Sequence, residues 1–270
     1  PVSALLHAGI LNAGPFLIVR MSFLMSESSA ASLMLIIIGG LTAIFASVVY
    51  LTQPMVKVSL GYSSVAHMGF SLMVCGFGVY PAALLHLVAH SFYKAHSFLS
   101  SGSVIDAVRA KKINIPERKG SYWRIAFSIG FSLSIYAGFC YLWGIQPGKE
   151  FGLMAIGASI VMGMSQILAQ TIDSGGTISA MIQSAVMVRL VAGAFFTLEK
   201  GASILMASQI PAGHEIGLAT KIVVAVIIAC FVMVVLFQLA APGLRKGKFT
   251  HKLGVHLRNG FYANVIFDRM

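Results

Sequence analysis

The stretch Ala82–Ile105, AALLHLVAHSFYKAHSFLSSGSVI, has the length and apolar content of a membrane helix, yet it carries His86, His90, Lys94 and His96. His86, His90 and Lys94 are spaced by four, so at ~3.6 residues per turn they form one stripe along one side of a helix. A cation at the bilayer centre costs at least ~2.5 kcal/mol on insertion scales. The stripe must therefore face protein or a wet cavity, and so costly a residue type repeated on one face points to function rather than packing.

Around this helix the composition excludes an ordinary soluble domain. Of the 270 residues, 57% are hydrophobic and only 10% are charged, against roughly 25% charged in a typical soluble chain. Apolar blocks fall at 2–19, 30–51, 57–79, 82–105, 123–144, 151–170, 177–198 and 217–240. Each is close to the ~20 residues a spanning helix needs. The expected fold is all-α, a polytopic transmembrane bundle of about eight spans.

Lys and Arg number 19 against 8 Asp and Glu, a formal net charge of +11. These positives gather in loops, where they set membrane orientation and give no reason to expect nucleic acid as a partner. One cluster runs from Arg109 through Lys111, Lys112, Arg118 and Lys119 to Arg124; another follows Pro242 as Arg245, Lys246, Lys248, Lys252 and Arg258. Both are expected on the cytoplasmic side, which requires an even number of spans between them, and the blocks from 123 to 240 satisfy that parity. Loops at 20–29, 145–150 and 199–216 then lie outside. The segment Lys252–Met270 mixes apolar residues with His and Arg and is expected to form a short amphipathic helix on the cytoplasmic surface or a docking tail. With no initiator Met at Pro1 and no signal peptide, the chain reads as a C-terminal portion of a longer protein.

Further polar groups lie inside apolar blocks: His7, Ser63, Ser64, His67 and Arg189, with Lys57 at the entrance of its helix. No Asp or Glu stands in the middle of any block, so the buried ionisable set is wholly basic. Imidazoles titrate near neutrality and suit proton carriage, and a row one helical turn apart can be bridged by water or hydroxyls. Taken singly, His7, His67 and His96 read equally as packing residues. Arg189 reads equally as a tie between helices through backbone carbonyls. On spacing alone Lys57 reads as a snorkelling end residue.

Metal and haem readings are weaker. His86 and His90 have ligand-compatible spacing, but the intervening Leu87, Val88 and Ala89 lack a metalloprotease glutamate, and no Cys or carboxylate is near in sequence. Bis-histidine haem needs facing helices, and His67 with His86 is the evident pairing. The three cysteines, Cys75, Cys140 and Cys230, lie far apart in apolar blocks and form neither a disulfide framework nor a zinc pattern. No phosphate loop, nucleophile elbow or dinucleotide fingerprint is present, so the reading is of a transport or coupling subunit rather than an enzyme.

The runs PVSALLHA at 1–8, QPMVKVSLGYSSVAHMGF at 53–70 and HLVAHSFYKAHSFLSSGSVI at 86–105 resemble the antiporter-like subunits of respiratory complex I, the L subunit above all, and of Mrp antiporters. Within that superfamily the wording PVSALLHAG, the following Asn12-Ala-Gly-Pro-Phe-Leu and the ending Gly254-Val-His-Leu-Arg-Asn-Gly-Phe-Tyr look most like the DabB type of membrane subunit. The resemblance implies a helix bundle with a proton path through its middle, serving inorganic carbon accumulation with a cytoplasmic zinc partner of DabA type that is similar to β-carbonic anhydrase. It implies no cofactor in this chain itself, and a bacterial inner membrane as its place. A proton-pumping subunit of NADH:quinone oxidoreductase or an Mrp-type antiporter is the alternative.

Carried over by position, Lys57, His86, His90, Lys94 and His7 fall on the family's proposed path. His67 stands where many relatives have Gln, and Arg189 has no assignable counterpart. On this reading 1–110 is the path-bearing core, 111–122 a basic cytoplasmic loop, 123–243 additional spans and 244–270 a basic cytoplasmic tail.

Overall fold

The computed structural model describes residues 2–103, 121–145, 151–173, 177–211, 217–244 and 248–262, with 265 and 269 besides. Among them the ordered elements are all helical. The helices are α1 (Val2–Ala8), α2 (Ala13–Arg20), α3 (Ser22–Met25), α4 (Ser29–Tyr50), α5 (Val56–Gly76), α6 (Tyr80–Ser100), α7 (Tyr122–Trp143), α8 (Phe151–Asp173), α9 (Ile178–Met206), α10 (Leu218–Leu244) and α11 (Lys248–Arg258). Most of the expected basic loop at 111–122, and Arg245 and Lys246 of the tail, lie outside the described residues.

Seven segments are long and apolar enough to cross a membrane, counting α1 and α2 as one. The expected span at 82–105 corresponds to α6, whose 21 residues suffice for crossing. Its histidines and lysine lower its hydropathy, and they are the same residues that make it informative.

The first expected span, 2–19, is not one continuous helix. It stops at Ala8, passes through a 3-10 turn at Ile10–Asn12 and restarts at Ala13. Pro15 explains the break. It has no N–H to give a carbonyl one turn back, so it is accommodated in the first turn of a new helix rather than inside an old one. Asn12 closes the gap, donating from Nδ2 to the Ala8 carbonyl at 2.9 Å and to Ser91 Oγ of α6 at 2.7 Å.

At the other end, α9 runs past the expected boundary at 198 and continues to Met206, so Glu199 and Lys200 are helical rather than in a loop. The run TLEKGASILM holds mostly good helix formers and no proline, and nothing interrupts the backbone ladder before Ala207.

Helices α4 and α5 form the tightest pair because small residues let their backbones meet. A Cβ on Gly39 would lie 2.6 Å from the Gly69 carbonyl oxygen, and one on Gly69 would lie 2.7 Å from the Ala43 nitrogen. Without a hydrophobic driving force between helices in lipid, such close packing and polar ties carry association. The ties are present: Gln166 donates to Gln238 Oε1 at 2.8 Å between α8 and α10, and Thr171 meets Ser184 at 2.7 Å between α8 and α9. Arg124, counted above among the loop charges, donates to the Ile172 carbonyl at 3.2 Å and joins α7 to the end of α8.

The tail helix α11 docks on its own chain. Gln53 Nε2 donates to the Arg258 carbonyl at 3.1 Å, Phe261 packs on Phe45 with ring centres 6.2 Å apart, and Gly260, at φ +57°, sits beside the Tyr62 hydroxyl. The C-terminal segment thus lies at the same end of the bundle as the α4–α5 turn, as the parity of the helices between them requires.

Candidate functional site

Helices α5 and α6 pack antiparallel, and each brings a polar stripe to the interface. On α6 the stripe is His86, His90 and Lys94; on α5 it is His67, Ser63 and the Leu60 carbonyl, which recur at helical spacing. The two stripes meet in opposite order. His67 Nδ1 and His86 Nε2 are 3.3 Å apart, while two turns further Lys94 Nζ donates to Ser63 Oγ at 2.8 Å and to the Leu60 carbonyl at 3.2 Å.

His90 lies between these two contacts. Its ring is centred 5.2 Å from that of His67 and 6.2 Å from that of His86. The side chain is buried, and neither ring nitrogen bonds a described residue. Lys94 is wholly buried, at 0% exposure. A desolvated ammonium is expensive unless its protons find acceptors, and the hydroxyl and carbonyl of α5 supply two without supplying a negative charge.

The flanks of the cluster are apolar and aromatic. Phe70 covers His86 with ring centres 5.1 Å apart, and the Tyr93 ring centre lies 5.5 Å from Lys94 Nζ. His7 of α1 stacks face to face on Phe98, one turn beyond Lys94, with ring centres 4.5 Å apart and planes 8° from parallel. It therefore borders the lysine end of the cluster from a third helix. Asn12 and Ser91 anchor the broken first span beside His90.

The seven candidates from the sequence do not converge on one place. His67, His86, His90 and Lys94 form a continuous group, with His7 at its edge. Lys57 is exposed in the first turn of α5, at the end of the bundle where the tail docks. Arg189 is exposed on α9 and forms no part of the group, so a single path through all seven residues does not match the fold. His96 is also exposed, two residues off the stripe of α6.

Two contributors were absent from the candidate set. Ser63 stands four residues before His67, a spacing that could have placed it on the same stripe; the Leu60 carbonyl carries no side-chain signal at all. The His67–His86 pair considered for haem exists as a direct contact. At 3.3 Å it is too close for bis-histidine haem, whose two nitrogens bind on opposite faces of the iron and would stand roughly 4 Å apart. Among the described residues no group of three or more His, Cys, Asp or Glu is arranged to hold a metal ion.

The family model described as NADH:quinone oxidoreductase/Mrp antiporter, TM, matches residues 1–127, the part that holds this cluster. Those residues belong to that family. A protein of Halothiobacillus neapolitanus named "Probable inorganic carbon transporter subunit DabB2" is 31% identical over 273 residues, covering 100% of this chain and 49% of the relative. One of Hydrogenovibrio crunogenus, named "Probable inorganic carbon transporter subunit DabB", is 33% identical over 77% of this chain and 39% of its own length. The "NADH-quinone oxidoreductase subunit L" of Rickettsia bellii is 42% identical over 114 residues, 42% of this chain and 18% of the relative. The chain thus spans about half the length, or less, of these relatives. It is a multi-pass membrane protein of antiporter-like type.

Proposed function

We propose that the chain is the proton-conducting membrane subunit of an inorganic carbon uptake system, working with a cytoplasmic zinc protein of carbonic anhydrase type. The observation that carries the relay is the fully buried Lys94, held by two neutral oxygens of α5 and continuous with three histidines. The likeness to DabB2 along the whole chain, where the likeness to subunit L stops at 114 residues, favours carbon uptake over a respiratory pump.

The relay works by ordinary imidazole chemistry. A neutral ring has one donor and one acceptor nitrogen; taking a proton at one and releasing it from the other advances the charge by a ring width. Between His67 and His86 this needs no intervening group. His90, its ring centred 5.2 Å from that of His67, is the next carrier in line. Lys94 exchanges with His90, its neighbour one turn away, and Ser63 holds the amine in place and can pass a proton through its hydroxyl. His7 flanks the lysine end, and Lys57, exposed at the mouth of α5, serves as an entry group. The conductor is placed in a bacterial inner membrane with its tail on the cytoplasmic face, where the partner docks; zinc belongs to that partner.

Cells that depend on this system for growth in air provide the test. Lys94→Ala or His90→Ala, expressed at the normal level, abolishes carbon uptake; undiminished uptake overturns the relay. A copurifying zinc protein supports the carbon assignment, whereas copurifying flavin and iron–sulfur subunits replace it with the respiratory one.

A further inference from the structure

An amide fork holds the broken first span to α6. In a continuous helix the Ala8 carbonyl would accept the backbone N–H of residue 12. Here that N–H goes to the Gly9 carbonyl at 3.1 Å, and the side chain of the same residue takes its place, Asn12 Nδ2 donating to the Ala8 carbonyl at 2.9 Å. The second Nδ2 proton reaches across to Ser91 Oγ at 2.7 Å, and Ser91 donates its own proton to the Leu87 carbonyl at 3.0 Å. A carbonyl can only accept, so the fork fixes which way the amide faces. Asn12 is buried, and its Oδ1 meets no donor among the described residues. An unsatisfied buried oxygen is a cost that an unbroken helix with an apolar residue 12 would avoid, so stability alone does not account for the amide.

The two acceptors flank the relay. Ala8 follows His7 and Ser91 follows His90, so one amide joins the neighbours of both histidines. His7 needs such a tie. Its Nδ1 is buried without a partner among the described residues, and its ring is placed by stacking on Phe98 and by the backbone of α1, which is seven residues long. So short a helix does not hold its own position. His7 sits where α1, α5 and α6 meet: a Cβ on Gly61 of α5 would lie 4.0 Å from its Cε1, and it is near enough to Lys94 and His90 for their charges to interact. A slide or turn of α1 by about an ångström changes that geometry, to which transfer steps are steeply sensitive. We propose that Asn12 is a positioning residue of the relay, tying α1 to Ser91 so that His7 stays within transfer reach of Lys94 and His90. The role rests on the relay reading above.

Proton flux in vesicles holding the whole protein with its native partners, read with a pH-sensitive dye, tests the role. Asn12→Leu removes the fork, whereas Ser91→Ala removes only its far acceptor and leaves the Ala8 carbonyl bonded. Each lowers flux about tenfold or more at a normal membrane level, while Ser91→Thr, which keeps the hydroxyl, stays near wild type. In a His7→Gln background, itself slow, Asn12→Leu and Ser91→Ala cost nothing further, because they act through His7; a merely structural weakening would add its own loss. Should Asn12→Leu fail to assemble, the two Ser91 variants decide by themselves. Flux indifferent to Asn12→Leu and Ser91→Ala, a Ser91→Thr variant as slow as Ser91→Ala, or losses that multiply with that of His7→Gln overturn the proposal, as does a His7→Gln variant that is not slow. Lys94→Met separates the two readings. Flux abolished there but untouched by Asn12→Leu and Ser91→Ala removes only the positioning role, whereas flux retained there removes the relay and this role with it.

Discussion

His67 Nδ1 on α5 faces His86 Nε2 on α6 at 3.3 Å, so two imidazoles from antiparallel helices share one hydrogen bond inside an apolar bundle. In the proposed relay this contact gives His67 its place beside His86. His67→Gln keeps a donor and an acceptor but cannot carry a charge, so fold and membrane level stay near wild type. Proton flux, measured with a pH-sensitive dye in reconstituted vesicles, drops on the order of 10²-fold. Flux within twofold of wild type would remove His67 from the path.

Lys94 and Ser63 separate stability from function. Ser63→Ala takes one acceptor from a fully buried amine and lowers stability by about 1–3 kcal/mol. Lys94→Met replaces a buried cation with an apolar side chain of similar length, which is neutral or stabilising, while flux is lost. In the double variant the cost of Ser63→Ala largely disappears, because its hydroxyl no longer has a cation to serve. Thermal unfolding in detergent and vesicle flux read the two effects apart.

The α4–α5 contact admits no side chain at Gly69. Gly69→Val drives methyl groups into the α4 backbone and costs 1–3 kcal/mol or more on the usual scale for overpacking, about enough to abolish a monodisperse elution peak. Gly138→Ala on α7, with nothing within 4 Å of the added carbon, instead gains roughly 0.5–1 kcal/mol from helix propensity.

The tail is held where Gly260 adopts φ +57° beside Tyr62. Gly260→Val places a branched side chain in a left-handed conformation and against that hydroxyl, so the tail undocks. Trypsin cleavage after Lys252 and Arg258 then accelerates severalfold while the transmembrane part stays intact. Unchanged cleavage would mean that the Gln53 and Phe45 contacts hold the tail alone.

The extent of sequence legibility varies by residue. The stripe of α6 was readable because helix pitch alone puts His86, His90 and Lys94 on one side. The burial of His90 and Lys94 followed from the cost of charge in lipid. The partner stripe was less readable: Ser63 and His67 share a face, but nothing in their spacing says which helix that face meets. Lys57 and Arg189 show the limit from the other side, since a basic residue in an apolar block has the same local signature whether it points into the bundle or away from it.

Sequence by itself determined the membrane class, the approximate positions of the spans and the polar face of α6, because hydrocarbon thickness and helical pitch act on each segment alone. Tertiary structure decided the rest. It set the antiparallel register that lays Ser63 and Leu60 under Lys94 and His67 against His86, the break before Ala13, and the outward aspect of Arg189. These depend on which helices approach closely enough to touch, and at α4 and α5 that is set by glycines whose backbones meet, an outcome no single helix encodes.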